Sequence, residues 1–147
     1  MESNLPALIV VLPLLVGLCV PLLGRGNKPW LFAVATTWAI LAMTVALFVQ
    51  VNGLASESGD PKASIIYAMG NWKRPWGIEY RIDLFNAFVL LIIAAISAVV
   101  TFYARLSVAK EIPADRIRFF YALWLLFITG LLGMTITGDG FNIYVLM

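Results

Sequence analysis

Residues 84–104 read LFNAFVLLIIAAISAVVTFYA, with Asp83 in front and Arg105 behind. No Asp, Glu, Lys or Arg falls inside the stretch. A helix crosses the hydrocarbon core of a bilayer in about 20 residues, at ~1.5 Å per residue. Backbone groups in lipid have to pair within their own segment, which a helix does and an extended chain does not. The stretch therefore predicts a transmembrane helix with a charge at each water boundary. Working outward, the same uncharged pattern recurs at Leu5–Leu23, Trp30–Val51 and Phe119–Gly138. A shorter apolar run follows the Gly138-Asp139-Gly140 turn, from Phe141 to Met147. It spans only about 10 Å as helix, so it predicts the start of a fifth helix.

Composition agrees. The chain is 62% hydrophobic and 12% charged, with mean hydropathy +0.94. Soluble domains carry about 45–50% apolar and about 25% charged residues. The expected class is an all-α polytopic membrane protein, a single membrane domain over residues 1–147. Its first run is read as a span rather than a signal peptide, because MESNLP carries no Lys or Arg. The chain has no histidine and a single cysteine, Cys19. An internal disulfide, bis-histidine haem ligation, His-bearing zinc sites and Ser-His or Cys-His nucleophile pairs are all excluded. No catalytic site, metal or cofactor is expected. The missing histidines and the lack of a compact polar pocket disfavour a haem- or quinone-binding anchor. No basic tract suggests nucleic acid.

Charge placement predicts orientation, since Lys and Arg favour cytoplasmic loops. The N-terminal flank has none. The first connection carries Arg25 and Lys28, and the third carries Arg105, Lys110, Arg116 and Arg118. The second balances its basic residues against Glu57, Asp60, Glu79 and Asp83. The N-terminus is thus expected outside, with the first and third connections in the cytoplasm of a bacterial or archaeal plasma membrane.

The second connection has internal pattern. Ile78, Tyr80 and Ile82 alternate with Glu79, Arg81 and Asp83. Alternation is the mark of a strand with one apolar face. Ile65, Tyr67 and Met69 can supply a partner strand, and the Gly70–Gly77 stretch has turn chemistry. A short β-hairpin is predicted on the outer side between the second and third helices, over about residues 64–83. Trp72 and Trp76 suit the membrane interface, where an indole buries its ring and keeps its N–H wet. A lone hairpin is marginal in water, so this one should rest on its own helices, a neighbouring subunit or the lipid surface.

The runs also inform by omission. Charged residues at membrane depth usually mark proton relays or ion paths, and no Asp, Glu, Lys or Arg lies in the four complete runs. What they hold are small and hydroxylated residues: Thr36, Thr37, Thr44, Ala94, Ala95, Ser97, Ala98, Thr129, Gly130 and Gly133. These suit close helix packing; the alternative is that some hydroxyls touch a water path. Cys19 reads as a small buried apolar residue. Asp83 reads as a helix cap, Asp139 as a turn residue at the water boundary, and Asp115 as the cap of the fourth helix. Asp83 and Asp139 are also the acids near helix ends that could serve as an ion entry point.

The segment YAMGNWKRPWGIEYRIDLFNAFVLLI resembles the stretch between the second and third helices of the antiporter-like subunits. These are the large membrane subunits of respiratory complex I, membrane-bound hydrogenases and multi-subunit Mrp-type cation/proton antiporters. Asp83, Asn86, Ala87 and Phe88 match the family's entry to its third helix, and TGDGFNIYVLM resembles the entry to its fifth. The D-type Mrp subunit is the branch it most resembles. Recognisable motifs cover Ile65–Met147; before Asn52 only helix count and loop charge agree. The resemblance implies about fourteen helices in two inverted repeats, with a glutamate in the fifth helix and lysines further on forming a midplane relay. Met147 would fall just before that glutamate, so this chain lacks the relay residues. It implies proton translocation, exchanged for Na⁺ or K⁺ or driven by a redox partner, alongside other membrane subunits. Two readings stay open: the N-terminal part of such a subunit, or a shortened, non-pumping structural subunit.

Overall fold

The computed structural model describes residues 4–24, 26–58, 64–68, 79–137, 144–145 and 147. It contains α1 (Leu5–Cys19), continued by a 3₁₀ turn (Val20–Leu23), then α2 (Lys28–Ser58), strands β1 (Ile65–Ala68) and β2 (Glu79–Ile82), α3 (Leu84–Glu111) and α4 (Ile117–Ile136). Among the described residues, four helices are long and apolar enough to cross a membrane. Tyr144 and Val145 are helical; the rest of the expected fifth-helix start, residues 141–143 and 146, lies outside the described residues.

Each boundary has a local cause. Pro6 sits in the first turn of α1, where its missing N–H costs nothing. Pro13 lies inside α1 and removes one ladder bond. Gly24 (φ 80) and Gly26 (φ 104) supply the left-handed backbone that turns the chain into α2. The α3 helix stops at Ile112, which is extended (φ -114, ψ 132), as the residue before Pro113 prefers. The N-cap of α4 is Arg116, with no side-chain cap bond. The expectation that Asp115 caps this helix is therefore wrong: a turn closed by Arg116 N–H donating to the Pro113 carbonyl at 2.8 Å shifts the helix start one residue on.

The helices pair most extensively as α2 on α3 and α1 on α4. Small residues permit this. Ala87, Ala94, Ser97, Ala98 and Thr101 form the buried stripe of α3. Gly17 lets α1 approach α4 so closely that an added Cβ would stand 3.3 Å from the Leu125 Cβ and 3.4 Å from the Ala122 carbonyl oxygen. In lipid, such close van der Waals contact does the work that apolar burial does in water. Cys19 is exposed on the outside of the bundle, which corrects its expected burial. The face of α1 that meets α4 carries Gly17 and Val20, and Leu18 and Cys19 point away from it.

The hairpin packs on its own helices. β1 and β2 pair antiparallel with Ile65 opposite Ile82 and Tyr67 opposite Tyr80. Tyr80 and Ile82 are buried in a cluster with Ile9, Leu90, Leu132 and Ile136, whereas Ile66 and Arg81 on the other face are exposed. The strand alternation thus reads out directly as inside and outside. Tyr80 also bridges Thr137 at the end of α4. The Tyr67 hydroxyl donates to Asn4 Oδ1 at 3.1 Å, just ahead of α1. The start of α1, the hairpin and the end of α4 therefore share one end of the bundle. The basic residues Lys28, Arg105, Lys110, Arg116 and Arg118 lie in or beside the helix ends at the other.

Candidate functional site

The bundle core consists of two apolar clusters. One lies toward the hairpin; the other, with Val20, Ala33, Val108, Tyr121, Ala122 and Leu125, lies toward the basic end. Hydroxyl groups fall between them on two of the helices: Thr36 and Thr37 on α2, Ser97 and Thr101 on α3. All four are buried, as are Thr44 and Thr129.

Most of these hydroxyls are satisfied within their own helix. Thr36 donates to the Phe32 carbonyl at 2.7 Å. Thr37 donates to Ala33 at 3.1 Å and Val34 at 3.0 Å. Thr44 donates to Leu41 at 2.9 Å, and Thr129 to Leu125 at 2.8 Å. Back-bonding of this kind lets a hydroxyl sit in an apolar core without water. These threonines act as compact packing residues.

Thr101 differs. Its hydroxyl donates to the Ser97 carbonyl at 2.6 Å and accepts from Trp124 Nε1 of α4 at 2.7 Å. Its carbonyl accepts from Trp30 Nε1 of α2 at 3.2 Å. One residue thus ties three helices, and two indoles find partners that lipid could not supply. The Arg105 guanidinium carbon stands 4.7 Å over the Trp30 ring, one turn of α3 further toward the basic end. Sequence reasoning passes over this node. Its signal is present in Trp30 and Trp124, two indoles needing buried acceptors, but which acceptor they find is a tertiary fact.

At the other end Asp83 is the N-cap of α3. Its Oδ1 accepts from Asn86 N–H at 2.8 Å, and Asn86 Nδ2 donates to the Arg81 carbonyl at 3.1 Å. The carboxylate is thereby committed to the helix start and joins strand to helix. Tyr80 is 4% exposed and anchors β2. Trp72, Trp76 and Asp139 lie outside the described residues. Among the described residues no group of three His, Cys, Asp or Glu could hold a metal ion.

The arrangement is an apolar scaffold with the hairpin strands packed at one end and an internal tie at Thr101. No family model matches the chain. Individual proteins do. Over its whole length the chain is 34% identical to the N-type subunit of the NADH-quinone oxidoreductase of Desulforudis audaxviator, covering 28% of that protein. It is 26% identical to the D-type subunit of the Na⁺/H⁺ antiporter of Alkalihalophilus pseudofirmus, over 97% of this chain and 27% of that one. Its fold is similar to a chain of an archaeal membrane-bound sulfane sulfur reductase, with TM-score 0.79 and 32% identity over 98% of this chain and 28% of the other. It is likewise similar to a chain of the Mrp complex from a Dietzia species, with TM-score 0.80 and 26% identity over 99% of this chain and 25% of the other. The chain spans less than a third of the length of these relatives. By helix order, hairpin, fold and sequence, it belongs to the antiporter-like membrane subunits and matches their N-terminal portion.

Proposed function

We propose that this chain is the N-terminal helical bundle of a proton-translocating, antiporter-like subunit, working inside a multi-subunit membrane complex that exchanges protons for Na⁺ or K⁺. The observation that supports this most is the match of nearly the entire chain, hairpin included, to the D-type subunit of a Na⁺/H⁺ antiporter and to a chain of an Mrp complex, beside its match to subunit N of an NADH-quinone oxidoreductase. The chain's own contribution is structural. Its apolar runs hold no Asp, Glu, Lys or Arg, and its buried threonines spend their hydroxyl protons on their own helices. A proton crossing this bundle would have to leave charge in an unrelieved apolar core, at a cost of several kcal/mol or more. The bundle therefore insulates, and confines charge movement to helices that bear acidic or basic groups. The orientation that suits the charge distribution puts the hairpin end outside and the Arg105 end in the cytoplasm of a plasma membrane.

Inverted membrane vesicles from cells with and without the gene for this protein test the proposal. An acid-interior gradient, read with a pH-sensitive dye, should collapse on addition of Na⁺ or K⁺ only where the protein is present. Equal collapse in both preparations overturns it. The absence of charged residues in the spans favours one other reading, a structural subunit that packs against a larger complex and moves no ion. That reading predicts that deletion impairs assembly of the complex while preassembled complex retains transport.

A further inference from the structure

A cleft of roughly 220 Å³ opens at the basic end of the bundle, between the start of α2, the last turns of α3 and the first turns of α4. Gly26, Asn27, Trp30, Arg105, Ile117 and Tyr121 line it. At about 30 Å³ per water it has room for several waters or one hydrated anion group. We propose that this cleft binds a phosphate-bearing anion.

The polar lining consists of donors. Arg105 offers a planar fork of N–H groups suited to phosphate oxygens, and it is held in place over the Trp30 ring at 4.7 Å. The Trp30 N–H is already committed to the Thr101 carbonyl, so the indole orients Arg105 and takes no ligand itself. Asn27 adds a side-chain amide. Among the described residues, no carboxylate lines the cleft. Tyr121 is 1% exposed and lines the cleft, where its hydroxyl can donate to a ligand oxygen.

The backbone adds to this. The left-handed Gly24 and Gly26 bring the start of α2 to the cleft. Its first intrahelical bond runs from Leu31 N–H to the Asn27 carbonyl, so the N–H groups of Lys28 and Trp30 precede the ladder, and Pro29 has none. The N-terminal end of this long helix favours negative charge. Arg105 directly follows the uncharged run of α3. That is the depth at which lipid headgroups sit and at which basic residues attract anionic lipids.

Native mass spectrometry of the full chain purified in detergent tests the site. The probes are dioleoylphosphatidylglycerol, dioleoylphosphatidylcholine and inorganic phosphate. Phosphatidylglycerol should be retained in preference to phosphatidylcholine. Arg105→Gln should weaken that retention about tenfold, and Tyr121→Phe about threefold. Lys110→Gln, an exposed cation outside the cleft, should leave it unchanged. Saturable binding of inorganic phosphate with the same dependence on Arg105 and Tyr121 also supports the site and identifies a soluble anion as its source. Equal retention of the two lipids together with no saturable binding of inorganic phosphate, or no effect of both cleft variants while circular dichroism shows them folded, overturns the proposal.

Discussion

At the scale of single residues, Thr101 and Asp83 carry the sharpest expectations. Thr101→Val keeps shape but removes the acceptor for Trp124 Nε1, stranding an indole N–H between α3 and α4. Interhelical hydrogen bonds in membranes average about 0.6 kcal/mol and reach about 1.7, so a loss of ~0.5–1.5 kcal/mol is expected, with Thr101→Ser near wild type. Reversible denaturation in detergent micelles, followed by tryptophan fluorescence, measures both. Asp83 is a candidate both for helix capping and for ion entry, and its geometry is that of a cap. Asn caps as well as Asp, while Ala forfeits about 1 kcal/mol. Asp83→Ala should therefore lower stability, and Asp83→Asn should leave both stability and the proposed cation-driven proton exchange unchanged. Loss of exchange in a stably folded Asp83→Asn protein would show that the charge, and not the cap, is what the site requires.

Elements add constraints that no residue shows alone. The α1–α4 contact depends on Gly17, where even a methyl group would press on backbone and on Leu125 Cβ. Gly17→Ala should cost about 1 kcal/mol and Gly17→Leu about 1–3, since neither partner helix can yield without moving as a body. Denaturation midpoints for the pair should rank in that order. The hairpin depends on its buried face: Ile82→Ala should destabilise by about 2–4 kcal/mol, because the side chain fills a core shared by all four helices. Arg81→Ala, on the exposed face, should be nearly silent. Much of this scale is legible in the sequence. Lipid forces apolar spans into helices, so runs such as Leu84–Ala104 announce themselves, and the alternation at Tyr80 and Ile82 announces a strand face. Cys19 and Asp115 defeat such reading because both depend on phase. A single turn of helix or one residue of loop decides whether such a side chain points inward or caps. The Thr101 node is illegible for a further reason, since its two donors come from helices α2 and α4 that neighbour α3 only after folding.

For the whole molecule, the two ends have opposite characters. Asn4, the hairpin and Thr137 close one end; the glycine turn, Arg105 and the Pro113 turn form the other. This division follows from an even number of crossings, and it is what makes a basic cleft and a hairpin seal compatible in one small bundle. The interior between them is apolar and internally hydrogen-bonded, suited to holding other helices in place and to excluding charge. Cysteine accessibility tests the division most directly. In a Cys19→Ser background the chain has no native thiol, so single cysteines at Ser56 and Lys110 report only their own side. A membrane-impermeant maleimide should label Ser56→Cys in intact cells and Lys110→Cys only in inverted vesicles. Labelling of both positions from the same side would contradict the four-crossing bundle on which the account rests.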